Sequence, residues 1–136
     1  MFELSDTLID AEGLRQQCLS EEAGGFVCFE GWVRNRNEGR DVTRLEFEAS
    51  GGLAAREFEK IEKEIFERYQ VKHLVCVHRI GVVQLGELAV WIGLTAKHRD
   101  GAFQGCRYAI DELKERLPIW KKEFYTDGDS GWINHP

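Results

Sequence analysis

Two lysines on either side of a helix stop are the residues best suited to chemistry in this sequence. Lys114 lies near the end of an amphipathic stretch, Pro118 closes that stretch, and Lys121 follows in Ile119-Trp120-Lys121-Lys122-Glu123. Apolar residues at Phe103, Cys106, Ile110, Leu113 and Leu117 recur with the period of one helical face and predict a helix over Arg99–Leu117. At roughly 100° per residue, Lys114 falls about 20° from Phe103 on the helical wheel, on the flank of the apolar stripe. An ammonium at the edge of a core loses hydration and gives up its proton more readily. Such an amine can act as a base or a nucleophile, and a second lysine that stays charged can stabilise developing negative charge. The alternative is a snorkelling lysine with its head in water. Other cations gather in Arg34-Asn35-Arg36-Asn37-Glu38-Gly39-Arg40, Lys97-His98-Arg99 and Lys121-Lys122, on a chain of net charge -6. Basic clusters on an acidic chain suit a small anionic ligand rather than nucleic acid. A phosphate-ester enzyme lacks support, because neither a Gly-rich phosphate loop nor a carboxylate cluster for Mg²⁺ is present.

These residues must be positioned by a mixed set of elements. A short helix is predicted from Asp10, its N-cap, to Ser20, with Gly24-Gly25 after it. Phe26–Val33 reads as a strand, Arg34–Asp41 as a polar loop, and Val42–Ala49 as a second strand ended by Gly51-Gly52. Leu53–Tyr69 carries a helical stripe of Ala54, Phe58, Ile61, Ile65 and Tyr69. Two strands, His73–Val83 and Glu87–Ala96, flank Leu85-Gly86 and predict a hairpin; the first is apolar on both faces and is expected to be central. After the long helix, Ile119–Tyr125 is extended, Asp127–Gly131 is a turn, and Trp132-Ile133 adds a short strand. Helices alternating with hairpins predict an α+β fold with a largely antiparallel sheet.

Composition bounds the remaining possibilities. The 136 residues suffice for one domain, 1–136, and 43% apolar with 11% aromatic residues indicate a folded globule. No apolar run approaches the ~20 residues of a membrane span, and Met1-Phe2-Glu3-Leu4 lacks the pattern of a signal peptide. Cys18, Cys28, Cys76 and Cys106 form no Cys-x-x-Cys pair, so free, mostly buried thiols in a reducing, cytoplasmic compartment are expected. His73, His78, His98 and His135 show no ligand spacing with the cysteines, so neither zinc nor another metal is expected. His78 and Arg79, on a strand among apolar neighbours, read as structural hydrogen-bonding groups. Cys106 reads as core, and Trp120 suits an active-site wall or packing equally.

Four segments carry a resemblance. Gly31-Trp32-Val33-Arg34-Asn35-Arg36-Asn37-Glu38-Gly39-Arg40 resembles the G-x-V-R-N-x-N-x-G signature of the catalytic subunit of molybdopterin synthase. Val77-His78-Arg79-Ile80-Gly81, His98-Arg99, and Lys114 with Pro118–Glu123 follow in the same order. The resemblance covers roughly residues 5 to 125. It implies an α/β hammerhead fold with an additional antiparallel β-subdomain. It also implies a reaction, the transfer of two sulfurs to cyclic pyranopterin monophosphate, giving the molybdopterin dithiolene of the molybdenum cofactor. The sulfur donor it implies is a small ubiquitin-like carrier with a thiocarboxylated C-terminal Gly-Gly. By resemblance Lys114 and Lys121 are catalytic. Trp32, Val33, Arg34, His98, Arg99, Lys122 and Glu123 join them in binding substrate, Arg34, His98 and Arg99 at its phosphate and pterin. Arg40 is a further candidate that could equally be a solvated loop charge, as could Arg36. No cofactor is implied. The assembly implied is a heterotetramer, a homodimer of this subunit with a carrier at each end. A non-catalytic module that binds a ubiquitin-like tail is the alternative, and it would need no lysine at Lys114.

Overall fold

A computed structural model describes residues 1–134; His135, weighed above as a metal ligand, lies outside them. The elements run β1 (Phe2–Ser5), α1 (Ala11–Cys18), β2 (Gly25–Trp32), β3 (Arg36–Asn37), β4 (Arg40–Ala49), α2 (Gly51–Tyr69), β5 (Val71–Arg79), β6 (Gly81–Gln84), β7 (Leu88–Ala96), α3 (Arg99–Arg116), β8 (Ile119–Tyr125) and β9 (Gly128–Asn134). Two sheets result. The first has the order β1-β5-β7-β2, with β1 parallel to β5 and the other pairs antiparallel. The second has the order β3-β4-β8-β9, with β6 also paired to β4, and is antiparallel throughout. This is the expected α+β class, and the second sheet is the added antiparallel subdomain.

The central strands β5 and β7 of the first sheet are covered on both faces, while the edge strand β2 is exposed from Cys28 to Glu30. Helices α2 and α3 pack together over one face, joining Phe58, Ile61, Ile65, Cys76, Ile92, Leu94, Ala109 and Leu113 into the main core. Helix α1 covers the other face with Leu14 and Cys18 against Val75, Val77 and Trp91. Asp10 caps α1 as expected, its side chain accepting from the Gly13 amide at 3.1 Å.

Several expectations change. The stretch expected as one strand over His73–Val83 is two strands in different sheets. Gly81 takes φ +81°, in the left-handed region that favours glycine, and there the chain leaves β5 in the first sheet for β6 in the second. The expected hairpin therefore forms between β5 and β7, while β6 lies on β4. The Arg34–Asp41 loop holds a small hairpin, β3 on the start of β4, turning at Glu38-Gly39. β4 ends at Ala49 as expected, but Gly51-Gly52 already belong to α2, and β9 begins at Gly128 within the expected turn. β1 was not foreseen. Phe103, placed on the buried stripe of α3, is 61% exposed. Small residues pack there instead: Ala102, Gly105, Cys106 and Ala109 are buried. A Cβ on Gly105 would come within 2.8 Å of Leu94, and one on Gly101 within 2.4 Å of the Tyr69 carbonyl oxygen. The N-terminal half of α3 thus lies too close to its neighbours for a phenylalanine to enter.

Candidate active site

The seam between the two sheets opens into a cavity of about 540 Å³. One wall is the last two turns of α3, where Ile110, Leu113, Lys114 and Leu117 share a face. Leu117 ends the helix, its amide still donating to the Leu113 carbonyl at 3.0 Å, and Pro118 turns the chain into β8. The facing wall is β8 and β4. Alternation along β8 sends Ile119, Lys121 and Glu123 to the cavity, and their cross-strand neighbours Phe47 and Leu45 line it beside them. Trp32, Arg34, Arg36 and Asn37 form the rim, and His78 at the end of β5 lies where the sheets meet. Four cations, Arg34, Arg36, Lys114 and Lys121, line the cavity against two carboxylates, Glu30 and Glu123. An acidic chain has assembled a basic pocket.

Lys121 and Glu123 form an ion pair of 2.8 Å, with side chains 16% and 5% exposed. Asn37 Nδ2 donates to the other Glu123 oxygen at 2.8 Å, and the Tyr125 hydroxyl donates to the same oxygen. Burial alone would raise the Glu123 pKa, but the bonds from Lys121, Tyr125 and Asn37 outweigh it and hold the carboxyl below its ordinary value. Lys114 is exposed and lines the cavity from α3. Partial desolvation and then the charge of Lys121 lower its pKa, against a smaller pull from Asp111. Asp111 is itself engaged by Arg107 at 2.8 Å.

The other expected residues are divided. Trp32 and Arg34 line the cavity, and Arg34 donates to Asn37 Oδ1 at 3.3 Å. Val33 is buried in the core beneath them. Arg36 lines the cavity while held by Asp41 and the Gly39 carbonyl, each at 2.8 Å. Arg40 lies over the Tyr125 ring at 3.7 Å and pairs with Asp127 at 2.8 Å, so it braces β8 from outside. Lys122 occupies the opposite face of β8, its ammonium near the Phe124 and Trp132 rings. His98 and Arg99 begin α3 and are exposed. Fifteen residues of helix, about 22 Å at ~1.5 Å per residue, separate Arg99 from Lys114. The expected convergence of Arg99 and Lys122 on Lys114 is therefore absent within one chain. Of the residues that the sequence did not assign to the site, Asn37 and His78 line the cavity, and Tyr125 reaches it only through its bond to Glu123. Asn37 lay inside the signature segment, whereas Tyr125 carried no signal. Among the described residues no group of three or more His, Cys, Asp or Glu is placed to hold a metal ion.

The sequence profile described as MoaE protein matches residues 4–116. The molybdopterin synthase catalytic subunit of Synechococcus elongatus is 40% identical over 133 residues, covering 97% of this chain and 81% of that protein. The crystal structure of molybdopterin synthase from Staphylococcus aureus superposes with a TM-score of 0.92 at 36% identity, covering 98% of this chain and 97% of that one. A molybdopterin-converting factor structure from Helicobacter pylori shares the fold, with a TM-score of 0.80, 22% identity and coverage of 99% and 93%. Agreement of sequence over nearly the whole length with agreement of fold leads to one assignment: the chain belongs to the MoaE family, the catalytic subunits of molybdopterin synthase, sulfurtransferases of molybdenum cofactor biosynthesis.

Proposed function

We propose that the cavity between α3 and β8 is where sulfur from a thiocarboxylated carrier passes to cyclic pyranopterin monophosphate. The observation that carries this reading is the pair of unlike lysines on its two walls. Lys121, held by Glu123, is the fixed cation that stabilises negative charge as sulfur leaves the carrier's carbonyl. Lys114, with its pKa lowered, is the amine that takes a proton or attacks transiently. Arg34 has no carboxylate partner among the described residues, and its planar fork suits the substrate's phosphate.

His98 and Arg99 lie too far from Lys114 to reach the same ligand from one chain. A second copy that brings them across completes the anion pocket, in a homodimer with one carrier at each end. Phe103, exposed one turn after Arg99, gives that assembly an apolar side chain to bury. The Helicobacter pylori structure is described as a protein–protein complex of subunits 1 and 2 of the molybdopterin-converting factor. We carry such a partnership over to this chain, with a small subunit ending in Gly-Gly. Glycines let a tail enter where side chains would clash. Reconstitution tests the reading: this protein, a thiocarboxylated carrier and the cyclic pterin should yield dithiolene product, and this protein alone should yield none. One bulky residue added after the carrier's Gly-Gly should abolish transfer, and full activity with that carrier would contradict the geometry.

A further inference from the structure

Hydrogen-bonding capacity in the cavity is lopsided. Arg34, Arg36, Lys114 and Lys121 bring N–H donors and, when charged, cannot accept. The side-chain acceptors each already hold at least one donor. Glu123 takes Lys121 on one oxygen and Asn37 and Tyr125 on the other. Asn37 Oδ1 takes Arg34, and Glu30, exposed at the edge, takes the Trp32 indole at 3.3 Å. His78 differs. Its side chain is buried in the seam, and its Nδ1 lies 2.7 Å from the Arg79 carbonyl oxygen. A carbonyl only accepts, so Nδ1 carries the proton and Nε2 is the bare nitrogen. Phe47 meets the ring edge-on, with centroids 4.9 Å apart and planes at 80°, which fixes its orientation. Burial, opposed by the Arg79 bond and assisted by the charge of Lys114, lowers the His78 pKa to about 4, so the ring is neutral at physiological pH. The charged groups that share its cavity are Glu30 of β2, Arg34, Arg36 of β3, Lys114 of α3, and Lys121 and Glu123 of β8.

We propose that His78 orients the substrate: its unprotonated Nε2 accepts a hydrogen bond from an N–H or O–H group of the bound pterin and so sets how the ring lies between Lys114 and Lys121. The inference rests on the reading of this cavity as the pterin site. It assigns His78 a role beyond the structural bond to Arg79, and the two roles use different nitrogens.

That difference makes the test. Asn at 78 places an amide nitrogen where Nδ1 stands, so it keeps the bond to Arg79 and supplies nothing at Nε2. Gln at 78 places an amide oxygen near Nε2 and gives up the bond to Arg79. Dithiolene formation is measured with a thiocarboxylated carrier and varied cyclic pyranopterin monophosphate, alongside thermal unfolding. His78→Asn should fold like the parent and raise KM for the pterin roughly tenfold, in the range of one lost hydrogen bond. His78→Gln should be less stable and yet recover most of the parental KM. The reverse order, Asn parental and Gln impaired, would make the ring purely structural and overturn the inference. A readout that needs no variant is the ¹⁵N resonance of His78 Nε2, which should move as the cyclic pterin saturates the protein; an unchanged resonance at saturation would also overturn it. Lys114→Ala separates this failure from that of the underlying reading, because parental turnover in that variant would remove the cavity from the reaction altogether.

Discussion

The two walls of the cavity hold their lysines on opposite terms. On β8, Lys121 is mostly buried in a 2.8 Å pair with Glu123, and Asn37 and Tyr125 fix that carboxylate in turn. On α3, Lys114 has no carboxylate within ion-pair distance among the described residues, and the nearby Asp111 is taken by Arg107. One residue type thus stands ion-paired on one wall and unpaired, with its pKa drawn below the ordinary lysine value, on the other. The carboxylates around each decide which is which.

The largest test of this contrast is Lys114→Arg. Arginine keeps the charge and cannot supply a free amine at any working pH. If Lys114 serves as base or nucleophile, turnover should fall by about two orders of magnitude or more, with fold and carrier affinity intact. In the parent protein, turnover should rise with pH along a limb below the ordinary lysine value of 10.5, because the shift is downward. Near-parental turnover in the variant would reduce Lys114 to positioning. Glu123→Gln attacks the other wall. It leaves Lys121 without its partner and should cost about 3 kcal/mol, the low end for a buried pair that loses one member. Urea unfolding reads that loss, and an unchanged midpoint would show that Lys121 does not depend on the pair. The smallest effect belongs to Tyr125→Phe. Losing one bond to Glu123 should cost about 1 kcal/mol at neutral pH. Glu123 has its pKa depressed by folding, so its contribution is present above the unfolded value of 4.5 and is lost as pH falls through the folded value. The gap between parent and variant should accordingly narrow in acid; a gap that stayed constant down to pH 3 would show that the hydroxyl acts on packing and not on the carboxylate.

Much of this was legible in the sequence, and the failures share a cause. The stripe of α2, the cap at Asp10 and the stop at Pro118 are local signals, and each is where it was expected. Lys114 was correctly placed at the flank of its helix, although by reference to Phe103, which proved exposed. The periodicity there was real, but Gly101 lies so close to the end of α2, and Gly105 so close to β7, that the small side of the stripe turned inward. The partition of Lys121 from Lys122 follows from strand alternation and could have been read from the segment itself. Two features lay beyond reach because they depend on non-local pairing: the break at Gly81 that sends one apolar run into two sheets, and the bond from Asn37 to Glu123; the distance of His98-Arg99 from Lys114 was already implied by the helix expected over Arg99–Leu117. His78 was read as structural, which its bond to Arg79 supports. Its place in the lining of a cavity depends on the meeting of the two sheets, which no local pattern in the sequence announces.

The close approach at Gly101 and Gly105 also gives α3 a mechanical character. The helix is clamped near its N-terminus by this approach and held again by Ile110, Leu113 and Leu117 in the core, with Lys114 some 20 Å beyond Gly101 at ~1.5 Å per residue. A tilt of about 3° at the clamp would swing the amine by roughly 1 Å, a displacement that can cost an enzyme about a hundredfold in rate. Gly101 and Gly105, which line no part of the cavity, thus share with Ile110, Leu113 and Leu117 in fixing where Lys114 stands.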